Sequence, residues 1–160
     1  MTKTNAVRIL ERAGIKHELV SYEVDETDLS ASAVAAKLNE NIDQVFKTLV
    51  LRGDKTGVIV CVIPGAEELD LRKAAAISGN KSASMVAMKE ILDLTGYVRG
   101  GCSPIGMKKS YPVYIDETCM LFDYIYVSAG LRGLQIRISP ADLINAVNAL
   151  TADLIQLPLH

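Results

Sequence analysis

A chain of 160 residues with 49% hydrophobic and 22% charged residues has the composition of a folded globular protein. Its length fits one domain over 1–160, able to bury a core without disulfides or metal. A formal net charge of −2 argues against broad charge-driven binding of nucleic acid, and no apolar run approaches the ~20 residues of a membrane helix.

The start, MTKTNAVRILERAG, lacks the apolar core of a signal peptide; Ala6, Ile9, Leu10 and Ala13 instead predict an amphipathic helix capped by Thr4. Residues 16–22 (KHELVSY) read as a strand. Ser30 then caps a short helix through Leu38, with Ala31, Val34, Ala35 and Leu38 on one face. Residues 44–53, QVFKTLVLRG, have the composition of a strand covered on both faces, yet Lys47 shares the parity of Val45, Leu49 and Leu51. A buried unpaired charge is costly, so either the amine snorkels to solvent or the face opens into a pocket that uses it.

A five-residue loop, GDKTG, leads into VIVCVIP and predicts a hairpin. Residues 69–78 read as a helix ending at Gly79, and residues 87–94 as a second helix stopped by Gly96. The loop GGCSPIG precedes a short strand at 112–115. Residues 124–128 (YIYVS) and 134–138 (LQIRI) are the clearest late strands. Ser139 as N-cap, Pro140 at the first position and Asp142 in the first turn announce a last helix with Leu143, Val147 and Leu150 as its stripe. Hairpins mixed with helical crossovers predict an α+β fold around a mixed sheet.

Chemistry concentrates in three places. Lys47 can hold a carboxylate, a phosphate or a developing oxyanion. The paired glycines of Arg99-Gly100-Gly101-Cys102-Ser103-Pro104 allow close backbone approach and convergent N–H groups, or a plain structural turn. In 128–134 (SAGLRGL), Ser128 and Arg132 either rim the same cavity or belong to a hairpin loop. Three cysteines without a C-x-x-C pair disfavour disulfides or structural zinc and fit a reducing cytosol. Cys61 reads as core. A nucleophilic Cys102 would need a base, and His17 and His160 are the sole histidines. Arg72, Lys73, Lys81, Arg99, Lys108, Lys109, Arg132 and Arg137 make a local basic patch only if the fold gathers them.

Together these segments resemble the YbaK/EbsC family of aminoacyl-tRNA deacylases, relatives of the editing domain of some prolyl-tRNA synthetases. The resemblance rests on Tyr22-Glu23, VFKTL at 45–49, LDLRK at 69–73, TGYVRGGCSPIGMKK at 95–109, IDE at 115–117 and IYVSAGLRGL at 125–134. It implies a mixed, partly barrel-like sheet flanked by helices, no cofactor, no metal and no membrane. It also implies a cytoplasmic trans-editing hydrolase for Cys-tRNA(Pro), which takes the aminoacylated 3′ end of tRNA as substrate and prolyl-tRNA synthetase as partner.

In that family's chemistry the cysteinyl thiol of the substrate attacks its own ester. Lys47 then matches the essential lysine, with N–H groups near Gly100 and Gly101 stabilising the oxyanion. Tyr22, Ser103, Ser128 and Arg132 become substrate contacts. Leu29 and Gln135 join them; the family's phenylalanine is either missing here or replaced by Leu29, and Gln135 takes the place of the aspartate that often follows R-G-L. The alternatives are a deacylase for Ala-tRNA or Ser-tRNA, and a non-catalytic module binding a tRNA end or nucleotide.

Overall fold

A computed structural model describes residues 3–157; His160 lies outside the described residues. Helix α1 (Asn5–Arg12) starts where the Thr4 hydroxyl accepts the Val7 N–H at 3.3 Å and donates to the Ala129 carbonyl at 2.5 Å. The cap thus satisfies an orphan N–H and fastens the helix to a distant loop. Ala6, Val7 and Leu10 are its buried stripe. Strand β1 (Glu18–Ser21) follows, then α2 (Ala31–Leu38), capped by Ser30 and ended by Asn39 in the left-handed region.

Strands β2 (Phe46–Gly53) and β3 (Gly57–Pro64) form the predicted hairpin. Gly53 pairs with Gly57, so both glycines belong to the ladder and the connection is Asp54-Lys55-Thr56 rather than five residues. The Asn80 side chain accepts the Lys55 and Thr56 N–H groups at 2.9 and 3.0 Å and holds this turn closed. Asp70 caps α3 (Leu71–Ser78), which therefore begins two residues inside the predicted span.

Strand β4 (Ala83–Met85) is followed not by one helix but by a 3-10 turn (Met88–Glu90) and α4 (Ile91–Thr95), with left-handed Gly96 at its end. Strands β5 (Val113–Asp116), β6 (Ile125–Ser128) and β7 (Leu134–Ile138) lead to α5 (Pro140–Val147), capped by Ser139 as expected. Asn148, at φ 53, stops this helix, so Leu150 leaves its predicted stripe and sits 60% exposed in β8 (Leu150–Ala152).

The α+β expectation holds: the described strands form two sheets and no closed barrel. One is antiparallel, in the order β1-β7-β6; the other runs β4-β2-β3-β5-β8, antiparallel through β4-β2-β3 and parallel through β3-β5-β8. They meet at a parallel bridge between Val45 and Tyr126. Alternation sorts their side chains. Phe46, Val60, Val62, Ile125, Val127, Ile136 and Ile138 join Leu10 and Leu143 in the main core. Each fully buried side chain of this kind contributes roughly 1.5–3 kcal/mol.

The opposite face is covered in two separate places. Val45 and Tyr126 pack with Val34 and Ala35 of α2, whereas Leu51, Ile59, Cys61 and Ile63 pack with Ala74 of α3. Lys47 projects from the stretch between these two clusters.

Candidate active site

The gap has a cause in strand pairing. Away from β3, strand β2 is bridged to β6 at Val45 and paired with β4 at residues 51–53, with the Val86 N–H on the Val50 carbonyl. Between these points β2 has no strand neighbour on that side among the described residues. The two sheets part there and open a cleft of about 580 Å³. Its floor is residues 45–49 of β2, and its walls carry Leu29 and Ser30 before α2, Arg99, Gly100 and Cys102, and Ser128 and Gln135 of β6 and β7.

Register places three polar side chains in one row. Ser128 is the direct partner of Gln135, and two residues beyond the Val45–Tyr126 bridge the neighbour of Ser128 is Lys47. All three lie on the face that α2 and α3 leave uncovered. Lys47 makes no ion pair among the described residues, so its charge is free to meet a ligand. Gln135 is only 5% exposed, and its Oε1 has no hydrogen-bond partner. The Ser128 hydroxyl accepts the Gly130 N–H at 3.1 Å, which fixes its rotamer beside them.

The glycine loop divides in role. Gly100 lines the cleft at φ +82, and its N–H has no acceptor among the described residues. The Gly101 N–H is spent on the Val98 carbonyl at 3.0 Å, so Gly101 is not the second anion donor expected of it. A side chain on Gly101 would press on the Leu131 and Arg132 backbone at 3.2 Å, which gives its lack of Cβ a packing reason. Ser103 is fully buried outside the cleft lining, where its hydroxyl accepts the Ile105 N–H and shapes the turn.

Arg132 does not line the cleft either. Its Nε donates to the Arg99 carbonyl at 2.8 Å and its Nη1 donates to Glu26 Oε2 at 2.7 Å. One guanidinium therefore ties the loop bearing Gly100 to the loop bearing Leu29. Leu29 Cδ1 and Arg132 Nε would both stand 3.1 Å from a Cβ on Gly100, so this wall is close-packed. Tyr22 lies outside the lining as well. It shares a small adjoining crevice with Val24 and Lys37, and Asp28, Leu29 and Val34 separate that crevice from the cleft.

Burial pushes the Cys102 thiol up to about 11, so it is protonated at neutral pH. His17 Nδ1 is bound to the Ile15 carbonyl at 2.8 Å, and His17 is absent from the cleft lining. Cys61, pushed to about 12 by burial, belongs to the core beneath α3. The basic residues are not gathered into one patch. Lys73 pairs with Asp153, Arg132 with Glu26 and Arg137 with Glu18, while Arg99 alone joins Lys47 in the cleft. Ser30, which the sequence marks only as a helix cap, also lines the cleft, and Arg99 enters it beside Gly100.

Known proteins resemble this chain in sequence and in fold. The model of the aminoacyl-tRNA editing domain matches residues 26–146. A protein of Enterococcus faecalis, provisionally named Cys-tRNA(Pro)/Cys-tRNA(Cys) deacylase EbsC, is 45% identical over 95% of this chain and 93% of its own length. A proline–tRNA ligase of Thermosipho africanus is 36% identical over 48% of this chain, which is 13% of the ligase. A solved structure described as a provisional trans-editing enzyme for prolyl-tRNA synthetase superposes with a TM-score of 0.85 at 26% identity, covering 98% of this chain and 100% of the other.

Proposed function

The chain belongs to the aminoacyl-tRNA editing domain family and is an aminoacyl-tRNA deacylase, and from that premise we propose that it clears cysteine from Cys-tRNA(Pro) in trans. The observation that carries this reading is a lysine on the cleft floor that is unpaired among the described residues, in a cleft whose lining has no histidine and whose thiol, Cys102, is protonated at neutral pH. A site of that composition suits a substrate that brings its own nucleophile. The cysteinyl sulfur attacks the ester carbonyl, forming a C–S bond and a tetrahedral oxyanion. Collapse breaks the C–O bond, the thiol proton ends on the ribose oxygen, and water later opens the cyclic thioester to cysteine.

The protein then has two tasks, orientation and charge stabilisation. Holding reactants in attack geometry is worth up to about 7–11 kcal/mol, and one oxyanion donor about 3–4 kcal/mol. Lys47 and the Gly100 N–H are suited to the second task, and Leu29 offers an apolar wall to the terminal adenine. With this substrate the protein works in the cytoplasm, alongside prolyl-tRNA synthetase as partner. The test compares deacylation of Cys-tRNA(Pro), Ala-tRNA(Pro) and Ser-tRNA(Pro). Fast loss of cysteine alone is expected; equal rates on all three would replace the substrate thiol with an activated water and a broader editor.

A further inference from the structure

We propose that Gln135 is a specificity-determining residue that reads the α-amino group of the aminoacyl ester, an inference that rests on the deacylase reading of the cleft. Among the described residues, Gln135 Oε1 is the one buried side-chain polar atom left without a partner. Such atoms are rare because an unpaired buried amide forfeits its hydrogen bonds to water. The residue that carries it is 5% exposed, lines the cleft, and stands in one row with Ser128 and Lys47. An acceptor kept desolvated and unused is complementary to a donor that arrives with the ligand.

The ligand's chemistry narrows the donor. An aminoacyl ester presents a carbonyl, which the cation at Lys47 suits, and an α-ammonium, its strongest donor and the group costliest to bury unpaired. Ser128 already accepts from Gly130, and Asp28 accepts the Ser30 N–H from an exposed position at the rim. Gln135 is the buried acceptor that remains. As an amide carbonyl, Oε1 is chemically suited to receive the ammonium without forming an ion pair with Lys47. The amide does not titrate near neutral pH, so any pH dependence of this contact belongs to the substrate amine, whose donor strength falls as it loses its proton near pH about 8.

The test uses two non-hydrolysable probes, 3′-cysteinylamino-adenosine and its analogue lacking the α-amino group, 3′-(3-mercaptopropionyl)amino-adenosine. Wild type is expected to bind the first about tenfold or more tightly below pH about 7, with the preference shrinking above pH about 8. In Gln135→Leu the preference should fall to near one, with affinity for the amine-free probe unchanged. Because leucine is close in size and removes no existing hydrogen bond, this variant should melt at or above the wild-type temperature. Equal binding of both probes by wild type, or an undiminished preference in Gln135→Leu, overturns the role of Gln135 and leaves the deacylase reading standing. Binding of neither probe contradicts the cleft assignment, and the role of Gln135 with it.

Discussion

Lys47 is half-buried on the cleft floor with no ion pair among the described residues, and the residues around it shape what it meets. Gly100 is one of them. At φ +82 a side chain is disfavoured by roughly 1–2 kcal/mol, and a Cβ would meet Leu29 and Arg132 at 3.1 Å. Gly100→Ala should therefore displace the loop, lower Tm by roughly 2–8 °C and lower kcat/KM by about tenfold or more; unchanged kcat/KM would remove Gly100 from the site. Cys102 makes the opposite prediction. Its thiol, pushed to about 11, is protonated below that pH, so Cys102→Ser should keep near-wild-type turnover. Alkylation of Cys102 should accelerate only as pH rises toward 11, and rapid modification at pH 7 would contradict the buried, neutral thiol.

At the scale of elements, the cleft exists because β2 changes neighbours along one edge, and its walls are tied by Arg132. The ion pair to Glu26 is largely exposed, so Glu26→Gln should cost little, within about 1 kcal/mol. Arg132→Ala also loses the bond to the Arg99 carbonyl and the packing under Gly100, so it should raise KM and lower kcat together. A kcat/KM equal to that of Glu26→Gln would show that Arg132 does not organise the loop.

Most of the capped helices and the central hairpin were legible because local chemistry signals them: Thr4, Ser30, Ser139, and the alternation around Leu134–Ile138. Strands β4 and β8 were not. Each has three residues, and they are strands only because β2 and β5 offer them edges. The site divided in the same way. Lys47 was legible as a charge at a core parity, while the structural duties of Gly101, Ser103 and Arg132 depend on contacts made across the loops.

For the whole molecule, two predictions concern how the parts hold together and what they capture. Asp116 is fully buried and accepts from the Thr118 N–H, the Thr118 hydroxyl and the Leu154 N–H, tying β5 to the segment after β8. Asp116→Ala should cost several kcal/mol, since three donors lose an acceptor at about 1–3 kcal/mol each where buried; a Tm within a degree of wild type would contradict this. The net charge of −2, with most arginines and lysines paired or scattered, leaves little field for a polyanion. Binding of whole tRNA by this chain should be weak and fall steeply with salt, and salt-independent tight binding would contradict it. The central claim is that Lys47 acts on the ester, and single-turnover deacylation of Cys-tRNA(Pro) by Lys47→Ala tests it most directly. The variant should lose about a hundredfold or more in rate at an unchanged Tm, in line with removal of one oxyanion donor; near-wild-type turnover would show that the lysine of QVFKTLVLRG is no part of the chemistry.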